Sequence, residues 1–418
     1  MTHRQRLLAA INHKPLDRVC VDFGACGQTG IGAGAVHKIR KVFLGDESPV
    51  KIIEPYQMLG EIDDQLMKAL DVDVAGVIPP YTMFGFKNEN FKPFEMFDGT
   101  PVLVPEKFNF TTNQNGDLLM HPQGDTTVPP SAKMPKGGFY FDALNRQLPI
   151  VEENLDPKDN CEEFGLLSED DINYFAQNAR RLYENTDYGI MITIPGTAFG
   201  DIALVPATWL KHPKGIRDVE EWYISTVMRK DYVRKVFETQ CEFALKNIER
   251  LADAVGDHAH VAWISGTDFG TQRGLFISPD AYRELFKPFH KKVNDLVHQK
   301  TNWKTFIHSC GAVCELVPEF IEAGFDILNP VQCSADGMDP KRLKNQFGSS
   351  IVFWGGGVDT QKTLPFGTPD EVYSEVRQRI DVLNENSGFV FNAIHNVQGN
   401  IPVENILALF RAIKDSYK

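Results

Sequence analysis

KTFIHSCGAVCELVPEFIEAGFDILN, residues Lys304–Asn329, decides the fold, because it reads as a strand, a helix and a strand in succession. Lys304–His308 and Asp326–Asn329 are short runs, mostly apolar on consecutive positions, which is the pattern of parallel strands covered on both faces. Between them, Ala312–Ala323 is an amphipathic helical stretch. Outward from this unit the same alternation continues. Further strand-like runs lie at Val19–Phe23, Asp73–Ile78, Gly189–Ile194, His260–Ile264, Ile351–Trp354 and Phe389–Ala393. Further amphipathic helices are expected at Glu169–Asn185, Asp231–Val255, Pro279–Gln299, Pro369–Asn386 and Pro402–Tyr417. Ser278-Pro279, Asp339-Pro340 and Thr368-Pro369 mark helix starts, since proline at the first helical position has a suitable φ and no donor to waste. Strand–helix alternation repeated about eight times, with right-handed crossovers, predicts an α/β chain closed into a (β/α)₈ TIM barrel.

The alternation fails between about residues 81 and 168, where Phe, Pro, Gly and Asn are frequent. DGTPVLVPEKF and NGDLLMHPQGD within it read as hairpins, because Asp-Gly and Asn-Gly suit the required turns. The expectation is one barrel domain over 1–418, with a β-rich insertion at about 81–168 that forms a cap or subdomain.

In a barrel the chemistry sits where strands end and the following loops begin. The fifth strand ends in His308-Ser309-Cys310-Gly311. Residues two apart in extended chain point to the same side, so His308 and Cys310 converge above the mouth, and Gly311 permits a sharp departure. Imidazole and thiolate are preferred zinc ligands, and a zinc site needs at least one more. The residues offer three: His395 at the end of the eighth strand, Cys333 after the sixth, and Cys314 on an apolar helix face. Asp268, in the glycine-rich SGTDFGTQRG that follows the fourth strand, is placed to act as acid, base or anchor. Gln272, Asn329, Gln332, Asp359 and Gln361 are candidate substrate-binding residues at other strand ends. His258 and His260, at the opposite end of the fourth strand, read as structural.

The bulk numbers narrow the field further. The chain has 418 residues, 42% of them hydrophobic, and a net charge of −13, which argues against nucleic acid and anionic membranes as main partners. The first residues do not form a signal peptide, and no apolar run is long enough to span a bilayer, so a soluble cytoplasmic protein is expected. Seven cysteines in so large a chain point to reduced thiols. Neither a nucleotide-binding fingerprint nor a G-x-S-x-G elbow is present.

Several of these stretches together resemble the uroporphyrinogen decarboxylase superfamily over nearly the whole length. The matching text runs from Arg4–Gly24 to HNVQGNIPVENI at His395–Ile406. Thr267–Lys292, Phe306–Gly348 and Trp354–Val372 are similar to its branch of corrinoid-dependent methyltransferases. The arginine-rich N-terminal signature of the decarboxylase proper is missing, and DFGACGQTGIGAG stands in its place. The resemblance implies a zinc enzyme that moves a methyl group between a small substrate and the cobalt of a corrinoid carried by a partner protein. That branch uses an H-x-C pair, matched by His308 and Cys310, plus a cysteine near the last strand, where this chain offers His395. A His308–Cys310–His395 set follows, with Cys333 as the alternative third ligand.

Fewer thiolates make zinc a stronger Lewis acid, so the favoured substrate is a methyl ether such as a methoxylated aromatic. Phe84, Phe86, Phe91, Phe94 and Phe97 of the insertion have two readings, a cover over such a donor or, the plainer one, simple packing under the insertion. The alternatives are a methylcobamide:thiol methyltransferase and a metal-independent decarboxylase that binds pyrrole nitrogens through Asp22 or Asp268. A barrel that only docks a corrinoid protein is the non-enzymatic reading.

Overall fold

Strands that are apolar on both faces need cover on both. The chain provides it by rolling eight parallel strands into a barrel with helices outside. The computed structural model describes residues 1–417. The barrel strands are Cys20–Val21, Val74–Val77, Gly189–Thr193, Val261–Ser265, Lys304–His308, Ile327–Asn329, Val352–Trp354 and Phe389–Phe391, each within a residue or two of its expected position. Side chains split by strand alternation. Cys20, Val74, Met191, Val261, Phe306, Ile327, Val352 and Val390 fill the interior together with Trp263 and Trp354. Val21, Ala75, Ile190, Ala262, Ile307, Leu328, Phe353 and Phe389 face the helices.

The first and last-joined strands meet at a seam held by a side chain. The Asp73 N–H donates to the Val21 carbonyl at 2.7 Å, and the Asp73 carboxylate accepts the Val21 N–H at 2.9 Å. That fully buried carboxylate also takes Arg6 at 2.6 Å, Arg18 at 2.8 Å and His3 at 2.7 Å. Its full set of partners sits at the end of the barrel opposite the mouth, where polar groups serve stability. Past the seam, Gly76 lies so close to the first strand's exit that a Cβ there would stand 2.1 Å from the Ala25 carbonyl oxygen.

Two helices depart from expectation for the same reason, a proline without an N–H. Pro279–Lys300 is interrupted by a π turn over Tyr282–Phe286, just before Pro288. After the fifth strand, helical structure begins only at Cys314, as a 3₁₀ turn, and becomes α-helix at Val317–Glu322 around Pro318. Cys314 therefore opens that segment, two residues after the expected start at Ala312.

Both expected hairpins form. Asp98-Gly99 joins Lys92–Glu95 to Pro101–Val104, and Asn115-Gly116 joins Phe110–Thr112 to Leu118–Met120. Leu118–Met120 continues through Ala132–Met134 to Asp142–Ala143 as an antiparallel sheet of four strands. The other sheet recruits Val50–Glu54 and Leu59–Gly60, which precede the second barrel strand in sequence. Both sheets lie at the mouth end. Gln57 bonds the Gly27 carbonyl and Asn396, and Arg146 bonds the carbonyls of Pro206, Ala207 and Leu210. Among the described residues, no helix is long and apolar enough to cross a membrane.

Candidate metal centre at the barrel mouth

The fifth strand delivers His308 buried and Cys310 partly exposed at its carboxyl end. The His308 Nε2 lies 3.4 Å from the Cys310 Sγ. Gly311, with φ +93°, turns the chain away where a Cβ would collide with Gly270 at 2.4 Å. From the end of the eighth strand His395 approaches edge-on, its ring centroid 5.5 Å from that of His308. One ligand atom from each of His308, Cys310 and His395 lies within 4.8 Å of the others. Of the three residues weighed as third ligand, the fold brings His395 here. The Cys333 thiol instead turns to the Val331 carbonyl at 3.3 Å, and the Cys314 sulfur meets Arg342 at 3.7 Å.

The hydrogen bonds around His308 select its tautomer. The Asn329 Nδ2 donates to the Trp354 carbonyl at 2.8 Å, which turns the Asn329 Oδ1 towards His308 Nδ1 at 2.6 Å. The ring proton therefore sits on Nδ1, and the Nε2 lone pair faces Cys310. Burial lowers the His308 pKa to about 4, so the ring is neutral at physiological pH. Burial, and secondarily the charge of Asp268, pushes the Cys310 thiol well above its ordinary range. His395 is also kept neutral, at about 4, by burial and by His308. Its Nδ1 accepts the Asn396 N–H at 2.8 Å, which leaves its proton on Nε2. The His308 Nε2 lone pair thus already faces the cluster, whereas Cys310 is held as a thiol and the His395 Nε2 carries its proton.

Two imidazoles and one thiol, neutral and converging, fit a zinc ion with one open coordination position. In a tetrahedral site such donors stand about 3.3–3.6 Å apart. The His308–Cys310 separation of 3.4 Å already meets this.

Asp268 sits beside the cluster. Its Oδ1 accepts the Cys310 N–H at 2.6 Å and lies 3.8 Å from the His308 Nε2. Burial raises its pKa above the usual carboxylate range. A cavity of about 300 Å³ opens over Cys310 and His395, lined also by Gln272, Gln332, Asp359 and Gln361. Gln272 donates to Gln361 at 3.2 Å across it. The Gln332 Oε1 takes the Gly311 N–H at 2.7 Å, and Asp359 caps its own loop through the N–H groups of Gln361 and Lys362. Asn329, expected as a pocket residue, is absent from that lining because both ends of its amide are committed.

None of the insertion's five phenylalanines lines this cavity, in keeping with the packing reading and not with an aromatic cover. Phe84 and Phe86 are buried in the insertion's own core with Phe108 and Phe141, and Phe94 packs on Phe108 and Phe110. These rings pack in a buried core with Val102, Val104, Met120 and Met134 of the same sheets. Asp22 is also committed: its Oδ2 takes the Trp354 indole N–H at 2.9 Å and its Oδ1 the Ala25 N–H at 3.0 Å. Asp201, seven residues after the third strand's expected end at Ile194, was not among the expected site residues. The signal was an aspartate closing the glycine-rich Pro195–Gly200 loop at the correct end of a strand.

The model of the uroporphyrinogen decarboxylase (URO-D) family matches residues 169–416. A curated relative, the methylated-thiol–coenzyme M methyltransferase of Methanosarcina mazei, is 22% identical over 215 residues, which cover 50% of this chain and 51% of that protein. The chain thus spans about half the length of the curated relative it matches. A solved methyltransferase from Methanosarcina mazei shares the fold, with a TM-score of 0.53 and 16% identity over 100% of both chains.

Proposed function

Because the chain belongs to the uroporphyrinogen decarboxylase (URO-D) family, we propose that it is the branch's kind of enzyme, a zinc-dependent methyltransferase exchanging methyl between a small heteroatom-bearing substrate and the cobalt of a corrinoid protein. One observation carries this reading: His308, Cys310 and His395 converge within 4.8 Å at the carboxyl ends of two barrel strands, beside an open cavity. When bound, zinc supplies Lewis acidity at an open position, where the oxygen or sulfur that exchanges the methyl is held.

The chain's own residues do the rest. Asn329 fixes the His308 ring so that its Nε2 lone pair points at the cluster. Cys310 gives up its thiol proton when it becomes a ligand, and Asp268, bonded to its N–H at 2.6 Å, is the nearest carboxylate to take it. Gln272, Gln332, Asp359 and Gln361 position the substrate in the cavity. The insertion meets the loop after the third strand through Arg146, which bonds the carbonyls of Pro206, Ala207 and Leu210.

A methyl ether suits the Lewis-acidic donor set, but without the phenylalanine cover it loses the support of an aromatic site. A thiol or methylated thiol suits the same open position, and the curated relative named for methylated thiols favours that direction. The test is a metal analysis followed by turnover. Wild type and Cys333→Ser should carry one zinc per chain, and Cys310→Ser and His395→Ala should lose most of it. With a reduced corrinoid protein, a panel of methoxylated aromatics and methylated thiols should then give methyl–cobalt absorbance with one class. Zinc-free wild type, or zinc retained in Cys310→Ser, defeats the proposal.

A further inference from the structure

No lysine or arginine lines the cavity over Cys310, and the one basic ring on its wall, His395, is kept neutral by burial. Arg273 and Lys362 directly follow the lining residues Gln272 and Gln361 in sequence, yet neither is on the lining. An acid group on a substrate would find no counter-charge there among the protein's side chains.

Two side chains of the lining are more than nine-tenths buried, and each has one end committed. Gln332 is 5% exposed, and its Oε1 takes the Gly311 N–H at 2.7 Å. A backbone N–H can only donate, so the amide cannot turn over. The Gln332 Nε2 is thereby left as a donor with no acceptor among the described residues. Asp359 is 7% exposed, and its Oδ1 takes the N–H groups of Gln361 at 2.7 Å and Lys362 at 3.0 Å. Its Oδ2 meets neither a donor nor a cation among the described residues. Both free atoms keep accessible surface, unlike sealed orphans of the interior such as the Trp263 Nε1. A carboxyl group at this depth costs free energy unless a donor reaches it, and a ligand that brings the donor recovers that cost. A second anion in the same place would add repulsion, and the chain's net charge of −13 acts in the same direction.

From this arrangement we propose that Asp359 selects the substrate by charge. The end of the substrate that does not exchange methyl carries a hydrogen-bond donor, an ammonium or hydroxyl group, which bonds the Asp359 Oδ2; a substrate ending in an acid group is rejected. The Gln332 Nε2 serves a lone pair on the same molecule. The inference rests on the reading of this cavity as the substrate site of a zinc centre, and adds to it the class of substrate.

The probes are four thiols of one length: cysteamine, 2-mercaptoethanol, 1-propanethiol and 3-mercaptopropionate. Each is titrated by calorimetry into the zinc-loaded full chain, as wild type and as Asp359→Asn. Asparagine keeps an oxygen for the Gln361 and Lys362 N–H groups, so the loop stays capped and zinc content should be unchanged. It also replaces the free oxygen with a donor. The quantity read is the ratio of wild-type to variant affinity for each probe, in which differences of thiol acidity cancel. Cysteamine should bind wild type saturably, one per chain, and weaken roughly ten- to hundredfold in the variant. 3-Mercaptopropionate should strengthen by roughly tenfold or more. 2-Mercaptoethanol, whose hydroxyl donates or accepts, and 1-propanethiol should change by less than about threefold. The same ratio for cysteamine, 3-mercaptopropionate and 1-propanethiol, in proteins that hold their zinc, overturns this proposal and leaves the metal centre standing. No binding of any thiol to the zinc-loaded wild type overturns both.

Discussion

Asn329→Ala is the substitution that most directly tests how the metal centre is prepared. Asn329 is 1% exposed and bonded at both ends, to His308 Nδ1 at 2.6 Å and to the Trp354 carbonyl at 2.8 Å. Because the carbonyl can only accept, the amide cannot turn over, and the oxygen must face the imidazole. Alanine frees the ring to protonate at either nitrogen and to rotate. Partners that orient a ligating histidine typically set metal affinity by 10–100-fold, about 1.4–2.7 kcal/mol. The substitution also strands a buried carbonyl and a buried imidazole N–H, which should lower stability by about 2–4 kcal/mol. Asn329→Asp separates the two effects. It keeps an acceptor for His308 and loses the donor to Trp354, so it should hold zinc within a few-fold of wild type while still losing stability. Competition for zinc against a chromophoric chelator reads the first quantity, and urea unfolding reads the second. Wild-type zinc affinity in Asn329→Ala, alongside loss of zinc in His308→Ala, would refute the reasoning, because the ring would then need no partner.

Other outcomes follow from the same structure. Since the Cys310 thiol is pushed up by burial and by Asp268, zinc affinity should rise by up to about tenfold per pH unit from pH 6 to 8; a flat profile would remove Cys310 from the ligand set. Asp73→Asn should destabilise the chain by about 3–5 kcal/mol in urea unfolding, because Arg6 and Arg18 lose their buried counter-charge at the barrel seam. His260 and His290 are lowered by burial to about 4 and about 3, below their unfolded value. Their contribution is therefore complete above about pH 6.5 and is lost as pH falls. Each should contribute roughly 2 kcal/mol of the stability lost between pH 7 and pH 5. His290→Phe should flatten the unfolding midpoint over that range by its share; an unchanged slope would mean that this ring titrates normally.

Much of the fold was legible because it is written in local periodicity. A run such as Ile351–Trp354, apolar at every position, is stable only with cover on both faces, and eight of them separated by amphipathic helices leave few architectures open. The hairpins at Asp98-Gly99 and Asn115-Gly116 were legible because glycine there takes φ of +82° and +84°. The pairing of Val50–Glu54 with Pro101–Val104 was not, since it joins segments some fifty residues apart and no local pattern encodes register at that distance.

The same boundary runs through the site. The sequence by itself determined that His308 and Cys310 share one side of a strand end, because alternation within a strand is a covalent property of the chain. Only the tertiary structure brings His395, and not Cys333, beside them. That choice depends on which neighbouring strand end turns inward, and Cys333 is drawn off by the carbonyls of Val331 and Gly356. Tertiary structure likewise turned Asn329 from a pocket residue into the holder of His308 and turned Phe84 and Phe86 of the insertion inward. Burial and hydrogen-bond commitment are set by what packs against a side chain, and those neighbours come from distant parts of the chain.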